Sequence, residues 1–440
     1  MSHPNPSPTD NKFSPQRGDD SSRAAHRISA AVERLRPELM SLSREIHEHP
    51  EIGFAEHRSV RTVAEFLEGQ GFATKIGEWG LSTSILAQQG KGSPRVAILA
   101  EYDALPGVGH GCGHNVICAA AVGAFIGLAQ ELASLDGTVR LIGTPAEENG
   151  GGKEVLARAG AFDDIDAIVM LHPFTGPEEV ANFASLAVRD VEATFRGTAA
   201  HASSAPHEGR NALDAALASY QGIAALRQHI LATDRLHAIV SEGGAALNVV
   251  PDRAGIVVEV RSASTEGLRD LSHRVQRVLE GAAHMMDVRL ETRWDPFPPY
   301  LPVRSNAALA GQYLEHMRAR GRQIETGSSA PSAGGWSTDL GNLSVRVPAI
   351  HPTISISPEA VPMHTEEFGR RAISDAGDTA VIDGAIGLAA TVADYLRDSD
   401  LRERVRLEFE AAGGRIDVER LLTPPDRDPA DRPASGPSSC

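Results

Sequence analysis

Cysteine is scarce in this chain: three occur in 440 residues, at positions 112, 118 and 440. Two lie close together and the third is the last residue, so no disulfide framework can form and a reducing, cytoplasmic setting is expected. Aromatic residues make up only 5%. Continuous apolar stretches are short. The longest, counting glycine, runs from Val116 to Ala129, below the ~20 residues that cross a bilayer and suited to a buried helix. Basic residues are outnumbered by acidic ones, 42 to 58, which leaves a net charge of −16. Such a surface attracts neither nucleic acid nor an anionic membrane, and neither is expected as a partner. Three signatures are missing too. There is no Gly-x-Ser-x-Gly elbow and no Gly-x-x-x-x-Gly-Lys loop, and Gly107–Gly113 lacks the Gly-x-Gly-x-x-Gly spacing. Serine-hydrolase, nucleotide triphosphatase and dinucleotide-binding readings therefore lose their anchors.

What is present is ample for folding, with 41% hydrophobic and 23% charged residues. At roughly 150 residues per domain, two or three domains are expected. Residues 1–27 carry Pro4, Pro6, Pro8 and Pro15 among small polar residues, and 423–440 carry five prolines. Both read as disordered tails that cannot bury enough apolar surface to offset chain ordering. Between them, short apolar strands at 96–100, 138–143 and 167–171 alternate with helical segments at 37–48, 116–132 and 153–158. That order implies an α/β fold, a mostly parallel sheet with helices on both faces. From about residue 186 the texture changes to a β-α-β-α-β order with longer strands. This suggests an inserted α+β open-faced sandwich over 186–298, splitting a catalytic domain into 28–185 and 299–400. Residues 401–440 form a C-terminal extension.

Each of the three parallel strands runs into polar residues with metal-ligand side chains. Strand 96–100 leads to Glu101, Asp103, His110, Cys112 and His114; strand 138–143 leads to Glu147 and Glu148; strand 167–171 leads to His172. Ligands gather outside the carboxyl ends of strands in open α/β sheets, so the three clusters should converge. Thiolate and neutral imidazole suit Zn²⁺ and similar ions, and a glycine between Cys112 and His114 lets both turn to one point. Taken alone, each cluster also fits a plain role: a packed thiol with a core histidine, a solvated acidic loop, a strand-end histidine. Cys118 reads as helix packing and Asn115 as the helix N-cap. In an extended segment Glu147 and Glu148 point to opposite sides, so one can bind metal while the other faces the substrate.

Seven ordered strings carry a resemblance: Ala100-Glu-Tyr-Asp-Ala-Leu-Pro106, Cys112-Gly-His-Asn115, Pro145-Ala-Glu-Glu148, Leu171-His-Pro173, the stretch around His201, Asn248-Val-Val-Pro-Asp-Arg253 and His364-Thr-Glu-Glu-Phe368. Over roughly residues 30–398 the chain resembles the cocatalytic-metal aminoacylase and carboxypeptidase family, in its amidohydrolase branch. The resemblance implies two divalent metal ions, Zn or Mn, held by Cys112, His114, Glu148, His172 and His364. It implies Glu147 as general base and acid, and His201 as a catalytic residue reaching the site on domain closure or from the partner subunit of a homodimer. Asn248 and Arg261 match positions that hold a substrate carboxylate. The substrate would be a small amide carrying a carboxylate: an N-acyl-amino acid, an aminobenzoyl-glutamate-like compound or a dipeptide. Two alternatives are hydrolysis of a non-peptide C–N bond, as in an arylamine, and a non-catalytic metal or peptide-binding protein on the same scaffold. Two departures stand out. The wider family's His-x-Asp-x-x-Pro motif begins here with Glu101, which cannot inherit a histidine's ligand role, and Asp103 is placed behind the ligands, orienting one of them. The branch's usual Cys-Gly-His-Asp ends in Asn115, which is more similar to members that hydrolyse aminobenzoyl-glutamate and dipeptides.

Overall fold

A strand buried on both faces sends alternate side chains to two separate cores. In Arg95–Ala100, Val96, Ile98 and Ala100 join one apolar cluster while Ala97 and Leu99 join another. The computed structural model describes residues 15–133, 136–328 and 335–418. It places this strand inside a six-stranded sheet of order Thr74–Ile76, Ile85–Lys91, Gly137–Gly143, Arg95–Ala100, Ala167–Val169 and Ala349–Ile350. The last four are mutually parallel, and the first two pair antiparallel.

Helices cover both faces. Arg36–Glu48, His114–Gly127 and Asp375–Arg397 pack over one core, and Gly152–Arg158 with Leu340–Ser344 over the other. His114–Gly127 is apolar all round and buried almost throughout, as a helix enclosed on every side must be. Asp375–Arg397 is long and apolar enough to cross a membrane, yet 89% of its apolar window is buried inside the fold, so it is a core helix.

A second, antiparallel sheet has the order Arg289–Trp294, Ala187–Arg196, Arg253–Ser262 and Arg235–Glu242. Helices Ala212–Leu226 and Thr265–Met285 cover one face, with Ile223, Leu271 and Val275 packed against Val191, Ile256 and Val258. Burial along Ala187–Arg196 alternates residue by residue, which is the pattern of a sheet covered on one side only. The fold is thus α/β with an inserted open-faced layer.

Several expectations need correction. The insert contains an additional strand, Arg235–Glu242, so its order is β-α-β-β-α-β. This edge strand is mostly exposed and lacks the apolar alternation that marks a buried one. Part of the expected N-terminal tail is helical: Pro15–Arg34 is one helix, with Ala24 and Ile28 buried and Arg27 paired with the buried Glu131 at 2.6 Å. The expected disordered segment 423–440 lies outside the described residues. The first part of the C-terminal extension is the helix Ser399–Ala411, whose Leu401 and Val405 join the main core.

Candidate active site

Four parallel strands end on one edge, and their following loops, together with residues of the inserted sheet, line a cavity of about 270 Å³. Cys112, Glu147, Glu148, His172 and His364 all line it. The glycine at 113 has φ +76°, and a Cβ there would sit 2.7 Å from Pro173 Cγ; only glycine turns both neighbours inward here. Gly113 is also the helix N-cap. Asn115, expected in that role, lies inside the first turn, where its Nδ2 donates to Ser43 Oγ at 2.9 Å. Ala146 is held in the left-handed region at φ +58° and donates its N–H to the buried carboxylate of Glu56 at 2.8 Å. Contrary to the expectation of opposite sides, the turn at this strained residue brings the Glu147 and Glu148 carboxylates together, with oxygens of both within 4.8 Å of each other and of His114.

The candidate ligands meet in pairs and triples. Cys112 Sγ lies 3.5 Å from His172 Nε2, and His172 Nδ1 is bonded to the Pro173 carbonyl at 2.8 Å. That bond places the proton on Nδ1 and leaves the Nε2 lone pair facing the thiol. His114 Nε2 lies 3.9 Å from carboxylate oxygens of both Glu147 and Glu148, and His364 Nε2 is 3.5 Å from Glu148. Asp103 lies behind them, bonding His114 Nδ1 at 3.0 Å and accepting the Glu148 N–H at 2.9 Å. Three sets of possible ligand atoms each fall within 4.8 Å of one another: Cys112, His114 and His172; Cys112, Glu148 and His364; His114, Glu147 and Glu148.

This arrangement fits divalent cations. His114 Nε2 and Glu148 Oε1 are buried without a hydrogen-bond partner. Burial, reinforced by the Glu148 carboxylate, pushes the Cys112 thiol well above its ordinary range. Burial brings the His172 imidazole down to about 4, with His114 acting in the same direction, so it is a neutral donor. A buried thiol, two imidazoles and a carboxylate with open valences are compensated by a soft divalent ion and by little else.

A fourth carboxylate set, Glu101, Glu147 and Asp339, also falls within 4.8 Å, but a cation already serves it. The fully buried Lys153 ammonium is paired with Glu101 and lies 2.6 Å from Asp339. Glu101 therefore turns to an internal lysine, as its failure to match a ligand histidine suggested. Lys153 and Asp339 were not singled out from sequence, where Lys153 reads as an ordinary helix residue and Asp339 has no motif around it.

Arg261 lines the cavity too, but its guanidinium is held by Glu259 at 2.7 and 2.9 Å and by Ser337 at 3.2 Å. His201 and Asn248 are exposed and do not line it. His201 Nδ1 instead accepts from Ser203 and Ser204 within its own loop. Asp190 and Trp336 line the far end. Asp190 Oδ1 is buried without a partner, and burial followed by the Glu259 charge pushes its carboxyl up to about 6.

Comparisons with known proteins agree with this geometry. A family model described as peptidase family M20/M25/M40 matches residues 97–377. The Xaa-Arg dipeptidase of Mus musculus is 35% identical over 414 residues, 91% of this chain and 94% of that protein. A p-aminobenzoyl-glutamate hydrolase chain of Escherichia coli is 36% identical over 312 residues, 66% of this chain and 64% of that one. The crystal structure of a dinuclear metal binding peptidase of the M20 family from Bacillus subtilis has a TM-score of 0.62 at 24% identity, covering 82% of this chain and 99% of that one.

Replacing Lys153 by Met leaves Glu101 and Asp339 buried without their counter-charge. The expected cost is about 3–5 kcal/mol of stability, read by chemical denaturation. A loss below about 1 kcal/mol, the size of a surface pair, would show that the ammonium does not hold this cluster.

Proposed function

The chain belongs to peptidase family M20/M25/M40 and is a metal-dependent amide hydrolase, and from that premise we propose that it cleaves dipeptides whose released residue carries a cationic side chain. The observation that carries the hydrolytic reading is the meeting of Cys112, Glu148, His172 and His364 beside Glu147 in one cavity, with the buried His114 within reach of them. These five residues would hold two divalent ions, and the thiolate of Cys112, which belongs to two of the ligand sets, would favour zinc among the candidates. Bound there, such ions supply Lewis acidity towards a water and the amide carbonyl.

Glu147 takes the proton from the attacking water and returns it to the leaving nitrogen. Burial, then the carboxylates of Glu101, Asp339 and Glu148, hold its carboxyl well above the ordinary range. Divalent charge at the neighbouring ligands acts in the opposite sense. A proton-shuttling carboxyl at this position has no purpose in a purely binding protein, so the catalytic reading stands above that alternative.

The charge of the far end supports the substrate class. Arg189 is tied to Asp295 at 2.9 and 2.5 Å and Arg261 to Glu259, so neither guanidinium bonds the lining carboxylate of Asp190, although the Arg261 charge acts on it at longer range. A guanidinium or ammonium of the substrate would pair with that carboxylate. The Xaa-Arg dipeptidase among the relatives acts, by its name, on a substrate of this kind.

His201 and Asn248 enter through a second copy in this reading. Leu247 and Val249 beside them are exposed, as are Ile239 and Val240 on the edge strand Arg235–Glu242. An apolar sheet edge of this kind invites pairing with another chain, and a homodimer would carry His201 to its neighbour's cavity.

Glu147→Gln is expected to abolish chelator-sensitive dipeptide hydrolysis while metal content, read by elemental analysis, is kept. Full activity in that variant would remove Glu147 from the chemistry. Asp190→Asn should lower kcat/KM for an Xaa-Arg dipeptide roughly 10-fold or more relative to an Xaa-Leu dipeptide, the scale of one lost charge pair; an unchanged ratio refutes the cation pocket. Co-expressed Glu147→Gln and His201→Ala chains should recover about a quarter of wild-type activity, since random pairing makes half the dimers mixed and each mixed dimer has one complete site. No recovery from two inactive parents would place His201 outside its neighbour's site.

A further inference from the structure

His351 lines the cavity and is 1% exposed, yet neither of its ring nitrogens has a hydrogen-bond partner. A buried polar group left unpaired is costly, so its persistence calls for a partner that arrives with the substrate. His110 also lacks partners, but it stacks on His47 and does not line the cavity.

His351 stands beside a candidate ligand, on the same edge of the parallel sheet. Strand Ala349–Ile350 runs parallel to Ala167–Val169, with Ile350 opposite Val169. His351 follows its strand directly, whereas His172 stands three residues past Val169 and opposite Thr353; the two imidazoles nevertheless lie 5.6 Å apart between ring centroids, near perpendicular. The ring nitrogens of His351 are nevertheless absent from every set of clustered ligand atoms among the described residues. It stands beside the metal-binding side chains without joining them. On its other side is the Phe183 ring at 5.8 Å, which keeps water away and strengthens any polar contact made there.

The sign of the surroundings selects what His351 can meet. Lys153 lies close enough to act on it with positive charge, and divalent ions held by the neighbouring ligands would add to that field. An electron-rich oxygen is welcome in such a field, and a substrate ammonium is not. An imidazole carries at least one N–H in either protonation state, so it can donate to that oxygen.

We infer that His351 donates an N–H to the oxygen of the scissile carbonyl as that oxygen gains negative charge. This contact rests on the reading of the cavity as an amide-hydrolysing site. It adds a catalytic donor from within the same chain, independent of His201 and of any second copy.

Two variants test it: His351→Phe keeps a ring and removes the donor, and His351→Gln keeps an N–H. His351→Phe should lower kcat on a dipeptide about 10²-fold, as loss of one oxyanion donor does, with KM little changed. Affinity for a phosphinic dipeptide analogue, which mimics the tetrahedral oxygen, should fall in parallel while affinity for the product amino acid holds. His351→Gln should recover much of both, and metal content should match wild type in all three proteins. A rise in KM with kcat intact, equal behaviour of Phe and Gln variants, or loss of metal from His351→Phe would each overturn the assignment. Absence of dipeptide turnover in the wild-type protein would refute the hydrolytic reading. Equal phosphinate affinity across the three proteins would refute the His351 contact alone.

Discussion

Asp103 ties the site together. One of its oxygens bonds His114 Nδ1 and the other accepts the backbone N–H of Glu148, so a single buried carboxylate couples the loops that follow two adjacent parallel strands. The His114 bond fixes which imidazole nitrogen faces the cavity, and the Glu148 bond fixes the turn from which both glutamates project. Thr144, bonded to the Ala100 carbonyl through its N–H at 2.8 Å, joins the same two strand ends from below. Ala146 makes the same point from the other end: its left-handed backbone survives because Glu56, buried beneath it, holds its N–H.

Charge is the second constraint, because the site gathers far more acid than a buried cavity can hold unaided. Asp103, Glu101, Glu147, Glu148 and Asp339 are all largely hidden from solvent. The chain supplies one permanent cation, Lys153, and commits it to Glu101 and Asp339. Among the described residues no other lysine or arginine pairs with the remaining carboxylates around the ligand cluster; the imidazole of His114 faces each of them. Metal binding is therefore part of the electrostatic design and not an addition to it. The division also explains why three carboxylates near Lys153 do not make another metal site: the lysine occupies that role.

The sequence disclosed most where periodicity and strand ends coincide. The strands at 95–100 and 137–143, with the buried helix after Gly113, follow from apolar runs bounded by glycine-rich loops, and the polar residues just past those strands were legible as one cluster because parallel strands share an edge. His351 obeys the same rule but escaped notice, since its strand is only two residues long and its order in the sheet cannot be read from local pattern. The edge strand Arg235–Glu242 was hidden for the opposite reason: its exposed side chains remove the alternation that marks a strand. Lys153 and Glu56 were invisible because burial of a charge depends on partners far away in the chain, 186 residues away for Asp339 and 90 for Ala146.

The cavity belongs to neither layer alone. Its metal-binding side comes from loops of the parallel sheet, while Asp190, Glu259 and Arg261 project from the inserted sheet. Tyr300 stands where the chain returns from the insert, exchanging both backbone bonds with Val188 at 2.9 Å. Its hydroxyl donates to the Glu147 carbonyl at 2.6 Å and accepts from the Gly151 N–H at 3.1 Å. The residue that joins the two layers is thus bonded to the backbone of the proposed base. Any swing of the inserted sheet about this junction must carry those bonds along or break them. The Tyr300 hydroxyl therefore couples the orientation of the inserted sheet to the position of the Glu147 backbone.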